Sequence, residues 1–446
     1  MESEKMSENR GSFTSRIGFV LAAAGSAVGL GNIWRFPYLA AKNGGGIFLL
    51  IYILLVLTVG IALMTAEITL GRKTGLSVCS AFKKLNKKWA FVGVLGAIVP
   101  AIILPYYSVI GGWVLKYMVA FCEGYGDSTA ADSFFGGFIS SSASPLFWYV
   151  IFIGLVTVII IYGVKKGIER ASKILMPLLV ILTVIVAIYS IFLPGAAEGL
   201  VYYLKPDFSS LSWNGVLSAM SQMFYSLSLA MGIMITYGSY VQKKENIETA
   251  VTHIALFDTA IAFLAGLMII PAVFSFMGPE ALNAGPGLMF ITLPKVFNSM
   301  TAGGFIGAAF FILVFFAALT SAISLMEAVV ASFQDEFNFS RTKAIIATLI
   351  ICVVLGVPSS MGNGAWSGFL IMGMDFLSFC DYISNNIMMP IVAVLTCIFV
   401  GYVIKPQAII EEVELSNVFK KKKLFELSIK FFAPVCIFII LVSQFV

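Results

Sequence analysis

The chain has 446 residues, 59% of them hydrophobic and 11% charged, with a formal net charge of +5 at pH 7. A soluble globular domain carries about a quarter charged residues, so this composition describes a polytopic membrane protein. One histidine, His253, and six cysteines without a CxxC pair leave histidine–metal and triad chemistry almost no material.

The N-terminus, MESEKMSENRGSF, is polar and carries acids. The first apolar run holds Arg35 and lacks a clean cleavage site, so no signal peptide is expected. A span needs about 20 apolar residues. Eleven candidates run near 17–41, 46–70, 89–122, 146–164, 172–193, 213–240, 249–277, 304–333, 343–358, 373–403 and 428–446, numbered here as segments 1 to 11. Every second connection is basic: Arg72 to Lys88, Lys165 to Lys173, Lys243 and Lys244, Arg341 and Lys343, and Lys420 to Lys423. The connection 123–145 holds Glu123, Asp127 and Asp132 instead. This alternation predicts a multi-pass plasma (inner) membrane protein with a cytoplasmic N-terminus and an extracellular C-terminus. The basic residues therefore mark topology, and no nucleic-acid partner is expected.

Segment 1 contains GSAVGLGNIWRFP, residues 25–37. Gly25, Gly29 and Gly31 weaken a helix there, and Asn32 and Arg35 bring an amide and a charge into the bilayer. Backbone freed from helix is tolerated at membrane depth only where it is buried in protein or lines a cavity. Segment 6 has a second interruption, QMFYSLSLAMG at 222–232, with Gln222, Ser226 and Ser228 in mid-span. Segments 1 and 6 are each the first of five. Broken helices in corresponding positions of two halves point to a midplane binding site in a transporter. The external stretch 278–303 predicts a re-entrant hairpin or a lid.

The intramembrane ionisable residues are Arg35, Glu67, Asp258, Glu327 and Asp375. Each is costly in lipid, so each is either a functional group or a hydrogen-bonded helix clamp. Sodium prefers hard oxygen ligands. Candidate ligands are the freed carbonyls of segment 1, Asn32, Ser226, Asp258 and the Thr320–Ser321 pair of FFAALTSAIS, although such a pair also bonds back to its own helix. Half-helix N-termini attract a carboxylate, and Tyr106 or Tyr107 of segment 3 offers a hydroxyl to the same group. Tyr225, Met231 and Ile103 suit an apolar pocket or plain packing.

Taken together, SAVGLGNIWRFPYLAAKNGGGIF, QMFYSLSLAMGIMITYGSY, AGPGLMFITLP and FFAALTSAIS followed by QDEF resemble the neurotransmitter:sodium symporter family, in its bacterial leucine-transporter form. The resemblance implies an all-α fold of 11 transmembrane helices. These form a 5+5 inverted repeat with unwound helices 1 and 6, plus one extra C-terminal helix. The first repeat would span about 12–195, the second about 210–404, and the extra helix about 428–446, within one transporter domain.

The resemblance also implies two sodium sites. The first would use the Ala27 carbonyl, Asn32, Ser226, Asp258 and the substrate carboxylate. The second would use carbonyls of Gly25, Val28 and Ala317 with the hydroxyls of Thr320 and Ser321. The substrate carboxylate would meet Tyr107 and the Leu30 and Gly31 amides, and the amine the carbonyls of Ala27 and Tyr225. The pocket would include Ile103, Tyr107, Tyr225, Ser226, Ser228, Met231, Ser321 and Leu325. Arg35 and Asp375 would form an outer gate beneath the Tyr225 lid. Arg10 and Asp335 would form an inner gate, beside Phe13 where the family usually has Trp.

Three departures shape the expected function. Gly29 stands where monoamine carriers place an Asp, which implies a substrate that brings its own carboxylate. Met231 replaces a common Phe, which favours a large hydrophobic or aromatic side chain. Asp258 stands where many members have Asn, and Ala262 where chloride-dependent members have Ser. The expectation is sodium-coupled, chloride-independent symport of an amino acid by a protein that works as a monomer in the lipid bilayer. Alternatives are a sensor of the same fold that binds without transporting, and a proton-coupled amino-acid carrier. An enzyme is not expected.

Overall fold

The computed structural model describes residues 12–278, 281 and 287–443. Among these residues, nine helices are long and apolar enough to cross a membrane, and a bent pair makes a tenth. The continuous ones are Gly46–Thr74, Lys87–Cys122, Ala143–Ile161, Val164–Ile191, Ile247–Met277, Gly303–Phe337, Arg341–Met361, Phe376–Val403 and Lys422–Val442. They correspond to segments 2 to 5 and 7 to 11. The bent pair, Arg16–Ala27 and Gly31–Lys42, turns by 49° in segment 1. Segment 6 is divided into Trp213–Ser226 and Ile233–Gly238. Neither piece is long enough to count as a span, so length and composition alone do not reach the expected eleven.

Segment 1 breaks where its glycines predict. Ser15 caps the first half, its Oγ accepting from the Gly18 amide at 3.1 Å. Val28 leaves the helix in extended geometry, ψ 95°. The chain re-enters helix after Gly29, and Pro37 sits in the first turn of the final piece, where its missing N–H costs nothing. Segment 6 breaks less predictably. Ser228 and Ala230 have φ of +52° and +60°, and Gly232 has +69°. Only glycine adopts that region freely; other residues there cost about 1–2 kcal/mol each. The fold offsets this at Ala230, whose amide donates to Glu67 Oε1 at 2.8 Å. A buried backbone amide needs such a partner, so Glu67 serves as a clamp on the unwound segment.

Segment 8 is the central column, packed against segments 1, 3, 4 and 5. Segment 7 packs against segments 1 and 5, which places Asp258 opposite the break in segment 1. Glu327 lies lower on segment 8 and accepts from Tyr240 Oη at 2.8 Å and from Arg341 Nη2 at 2.6 Å. The short apolar helix Leu288–Asn298 reaches the larger cavity described below through Phe290. Its Phe290 stacks on Phe135 with centroids 5.0 Å apart, touches Trp34, Trp113 and Tyr117, and is buried. Residues 279, 280 and 282–286 of the 278–303 stretch lie outside the described residues.

Candidate functional site

Asp258 is the centre of the polar cluster at the first break. It is fully buried. Its Oδ1 accepts from Asn32 Nδ2 and from Ser226 Oγ, both at 2.7 Å. Its Oδ2 accepts from Tyr52 Oη at 2.8 Å. Asn32 Oδ1 turns back to accept from the Gly29 amide at 3.1 Å, which ties the side chain to the unwound backbone. Four segments thus meet on one carboxylate. Tyr52 was not expected here. In GGIFLLIYILL it reads as ordinary packing, and nothing in the local pattern signals its hydroxyl.

A second group of oxygens lies across segment 1. Ser321 Oγ reaches the carbonyls of Gly25 at 3.4 Å, Ser26 at 3.0 Å and Val28 at 3.5 Å. Thr320 Oγ1 donates to the Phe316 carbonyl at 2.9 Å and the Ala317 carbonyl at 3.2 Å. The structure therefore brings together the carbonyls of Gly25, Val28 and Ala317 and both hydroxyls. The Thr320 hydroxyl also makes the back-bond that the sequence alone suggests.

Between these clusters lies a small cavity of about 30 Å³, lined by Ala27, Leu30, Gly31, Ile103, Tyr107, Tyr225, Ser228, Met231, Ser321 and Leu325. Ser226 faces Asp258 instead and does not line it. Ser26, Gly29 and Ile233 line it too. Ser26 also joins the two breaks: Ser228 Oγ donates to its carbonyl at 3.0 Å. Gln222 Nε2 makes a second stitch to the Gly31 carbonyl at 2.8 Å. The glycines here are set by close approach. A Cβ at Gly29 would lie 2.5 Å from Ser321 Oγ and 3.0 Å from Tyr107 Oη, and one at Gly31 2.7 Å from the Tyr225 ring. The expected open amides are only partly open, because the Leu30 amide donates to Tyr107 Oη at 3.3 Å.

Tyr225 and Gly31 form the boundary with an outer cavity of about 320 Å³. Arg35 and Asp375 both line it, but the expected ion pair between them is not formed. Arg35 lies over the Tyr225 ring, 5.3 Å from its centroid, and donates to Ser221 Oγ at 3.2 Å. Asp375 instead caps its own helix, accepting from the Ser378 amide and hydroxyl. On the opposite side of the protein, Asp335 Oδ2 accepts from the Ser77 amide and hydroxyl, and Arg10 lies outside the described residues. Phe13 takes the Trp position by packing against Phe19, Tyr237 and Tyr240.

The comparisons with known proteins agree with this architecture. The model of the sodium:neurotransmitter symporter family matches residues 10–124 and 139–446. An uncharacterized sodium-dependent transporter of Haemophilus influenzae is 36% identical, with 98% of each chain covered. One from Bacillus subtilis is also 36% identical, covering 90% of this chain and 89% of its own. The crystal structure of MhsT in complex with L-phenylalanine superposes with a TM-score of 0.89 at 42% identity, covering 98% of this chain and 100% of that one. With these likenesses over nearly its whole length, the chain belongs to the sodium:neurotransmitter symporter family.

Proposed function

We propose that this sodium-coupled symporter carries an amino acid with a large hydrophobic or aromatic side chain into the cell, two sodium ions moving with it and chloride not required. The observation that carries the reading is the cavity at the two breaks, flanked by the Asp258 cluster and the Ser321 cluster.

In the first cluster, sodium would take oxygen from Asp258, Ser226, Asn32 and the Ala27 carbonyl, with the substrate carboxylate completing the shell. In the second it would take the Gly25, Val28 and Ala317 carbonyls with Thr320 and Ser321. The Asp258 charge lies inside the first cluster, and Ala262 follows one turn on, so the local anion is built in. Gly29 supports a substrate with its own carboxylate: Ser321 and Tyr107 leave no room for a carboxylate on that residue. The substrate carboxylate would meet Tyr107 Oη and the Leu30 and Gly31 amides, and its amine the Ala27 and Tyr225 carbonyls. A volume of about 30 Å³ holds roughly one water. An aromatic side chain therefore requires Met231 and Leu325 to yield, and the flexible thioether of Met231 is suited to that. The likeness to a protein solved with L-phenylalanine points to the same class.

The two repeats, about 12–195 and 210–404, would rock around this fixed site with the N-terminus in the cytoplasm, each chain working as a monomer. An ion crossing 100 mV releases roughly 2.3 kcal/mol, and a tenfold gradient adds about 1.4 kcal/mol per ion. Two ions then supply on the order of 7 kcal/mol, enough for about 10⁵-fold accumulation.

The test is uptake and binding by the purified protein in liposomes, with all twenty amino acids in competition and with sodium or chloride removed in turn. Sodium-dependent, chloride-independent uptake of large hydrophobic amino acids is expected. Uptake driven by a pH step without sodium refutes the coupling ion, and binding without counterflow refutes transport.

A further inference from the structure

The basic connections of this chain are not alike. Lys83 pairs with Glu336, Lys173 with Glu169, Arg341 with Glu327 and Arg72 with Glu412. Lys420, Lys421, Lys422 and Lys423 are consecutive and exposed, and among the described residues none of them makes an ion pair. Topology asks for basic residues on one membrane face; it does not ask for a run of lysines left without partners at one corner. From Leu415 to Lys430 the only acid is Glu426, so the corner keeps a net positive charge.

The turn that carries the lysines is held in place. Glu248, in the first turn of segment 7, accepts from the Lys420 amide at 3.1 Å and from the Lys421 amide at 3.2 Å. Both carboxylate oxygens are spent on backbone. Lys422 and Lys423 then open the membrane-crossing helix Lys422–Val442, whose first turn holds no acid. The positive end of a helix disfavours cations, so the lysines and the helix together call for an anion. Beside them the surface turns apolar. Leu57, Thr58 and Ile61 of segment 2 and Leu424 and Phe425 of segment 11 line a narrow crevice of about 10 Å³, with Lys421 and Glu248 among its walls. Leu57 and Leu424 are exposed, and so are Leu427 and Phe431 further along segment 11.

We propose that this corner binds one anionic phospholipid, its phosphate on Lys420–Lys423 and an acyl chain lying along the crevice between segments 2 and 11. Charge complementarity selects the headgroup: a run of lysines beside a membrane-crossing helix attracts anionic lipid, and lysine meets phosphate as a point charge. The exposed leucines and Phe431 select an amphiphile over a soluble phosphate. The crevice is about the size of one water, so the chain lies over it rather than entering. The lipid relieves the repulsion among the lysines. Through the Glu248 carboxylate it also steadies the start of segment 7, the helix that carries Asp258.

The test needs neither substrate nor sodium, so it stands or falls apart from the transport reading. Full-length protein in detergent is titrated with dioleoylphosphatidylglycerol, and the lipids retained on the intact chain are counted by native mass spectrometry. Dioleoylphosphatidylcholine is titrated in parallel. One phosphatidylglycerol should bind about tenfold or more tighter than phosphatidylcholine. Replacing all four lysines by glutamine (K420Q, K421Q, K422Q and K423Q) should bring the two lipids within about twofold of each other. A charge-matched control, K87Q, K88Q, K165Q and K166Q, should keep the preference. These positions are exposed, so the variants fold; coincident thermal unfolding checks this. A preference that survives loss of the four lysines overturns the assignment. So does its loss in the control, which marks attraction to net charge alone. Inorganic phosphate in about tenfold excess over the lipid should not displace it; displacement identifies a soluble phosphate ligand and overturns the lipid reading.

Discussion

Replacing Asp258 by Asn removes one charge from the first polar cluster and almost nothing else. The shape is conserved, and Tyr52, Ser226 and Asn32 keep a neighbour at their present 2.7–2.8 Å. What is lost is the attraction between the carboxylate and a sodium ion lodged among the same oxygens. At 4 Å and an effective dielectric constant near 20, that attraction is about 4 kcal/mol. Part is offset, because the wild-type carboxylate must stay buried and charged when sodium is absent. A net loss of roughly 3 kcal/mol corresponds to about a hundredfold rise in the sodium concentration for half-saturation. The assay is a sodium titration of substrate binding by the purified protein, with lithium or choline keeping ionic strength constant. A variant whose half-saturating sodium stays within about twofold of wild type removes Asp258 from the ion's shell. The claim that it stands in for chloride then falls as well.

Four further outcomes follow from the same geometry. Tyr52→Phe deletes one hydrogen bond to a buried carboxylate, worth about 1.5–3 kcal/mol; sodium titration should show weaker binding with no change in amino-acid preference. Thr320→Val keeps the shape of the second oxygen cluster and removes a hydroxyl, so the sodium dependence of uptake should steepen or shift upward; unchanged dependence places the second ion elsewhere. Gly29→Ala drives a Cβ to 2.5 Å from Ser321 Oγ, which forces the hydroxyl off the Ser26 carbonyl. Overpacking of this kind costs about 1–3 kcal/mol, read as a loss of both sodium and substrate affinity. Finally, Arg72 donates to Glu412 at 3.0 Å and to the Glu245 carbonyl at 2.7 Å, with both side chains buried. Arg72→Met should destabilise the protein by about 3–5 kcal/mol by stranding Glu412, and Arg72→Met with Glu412→Leu should recover most of it. Thermal unfolding in detergent checks both.

The break in segment 1 was legible because glycine spacing, an asparagine and an arginine in one apolar run conflict with a plain span. The break in segment 6 was legible from its serines and Gly232. Its geometry was not, because Ser228 and Ala230 adopt positive φ that no local rule assigns to them. The Ala230 amide is held by Glu67 from another segment, a tertiary effect. The same reason hides Tyr52, whose partner Asp258 lies 206 residues away in the chain. The residues flanking the cavity were largely named by the family resemblance, with Ser26 and Ile233 missed because one is small and the other reads as core. The Arg35–Asp375 pair shows the opposite failure. Both residues line one cavity, but which acceptor a guanidinium uses depends on conformation and on competing bonds such as the Ser378 cap.

Tyr225 lines both the inner and the outer cavity, with Arg35 over its ring. It is a partition shared by two chambers. On the proposed transport reading, a bulky molecule wedged in the outer chamber would press on the same ring that the cargo must displace. Raising the cargo concentration would then not relieve the block, and the inhibition would be noncompetitive although it arises from one aromatic side chain.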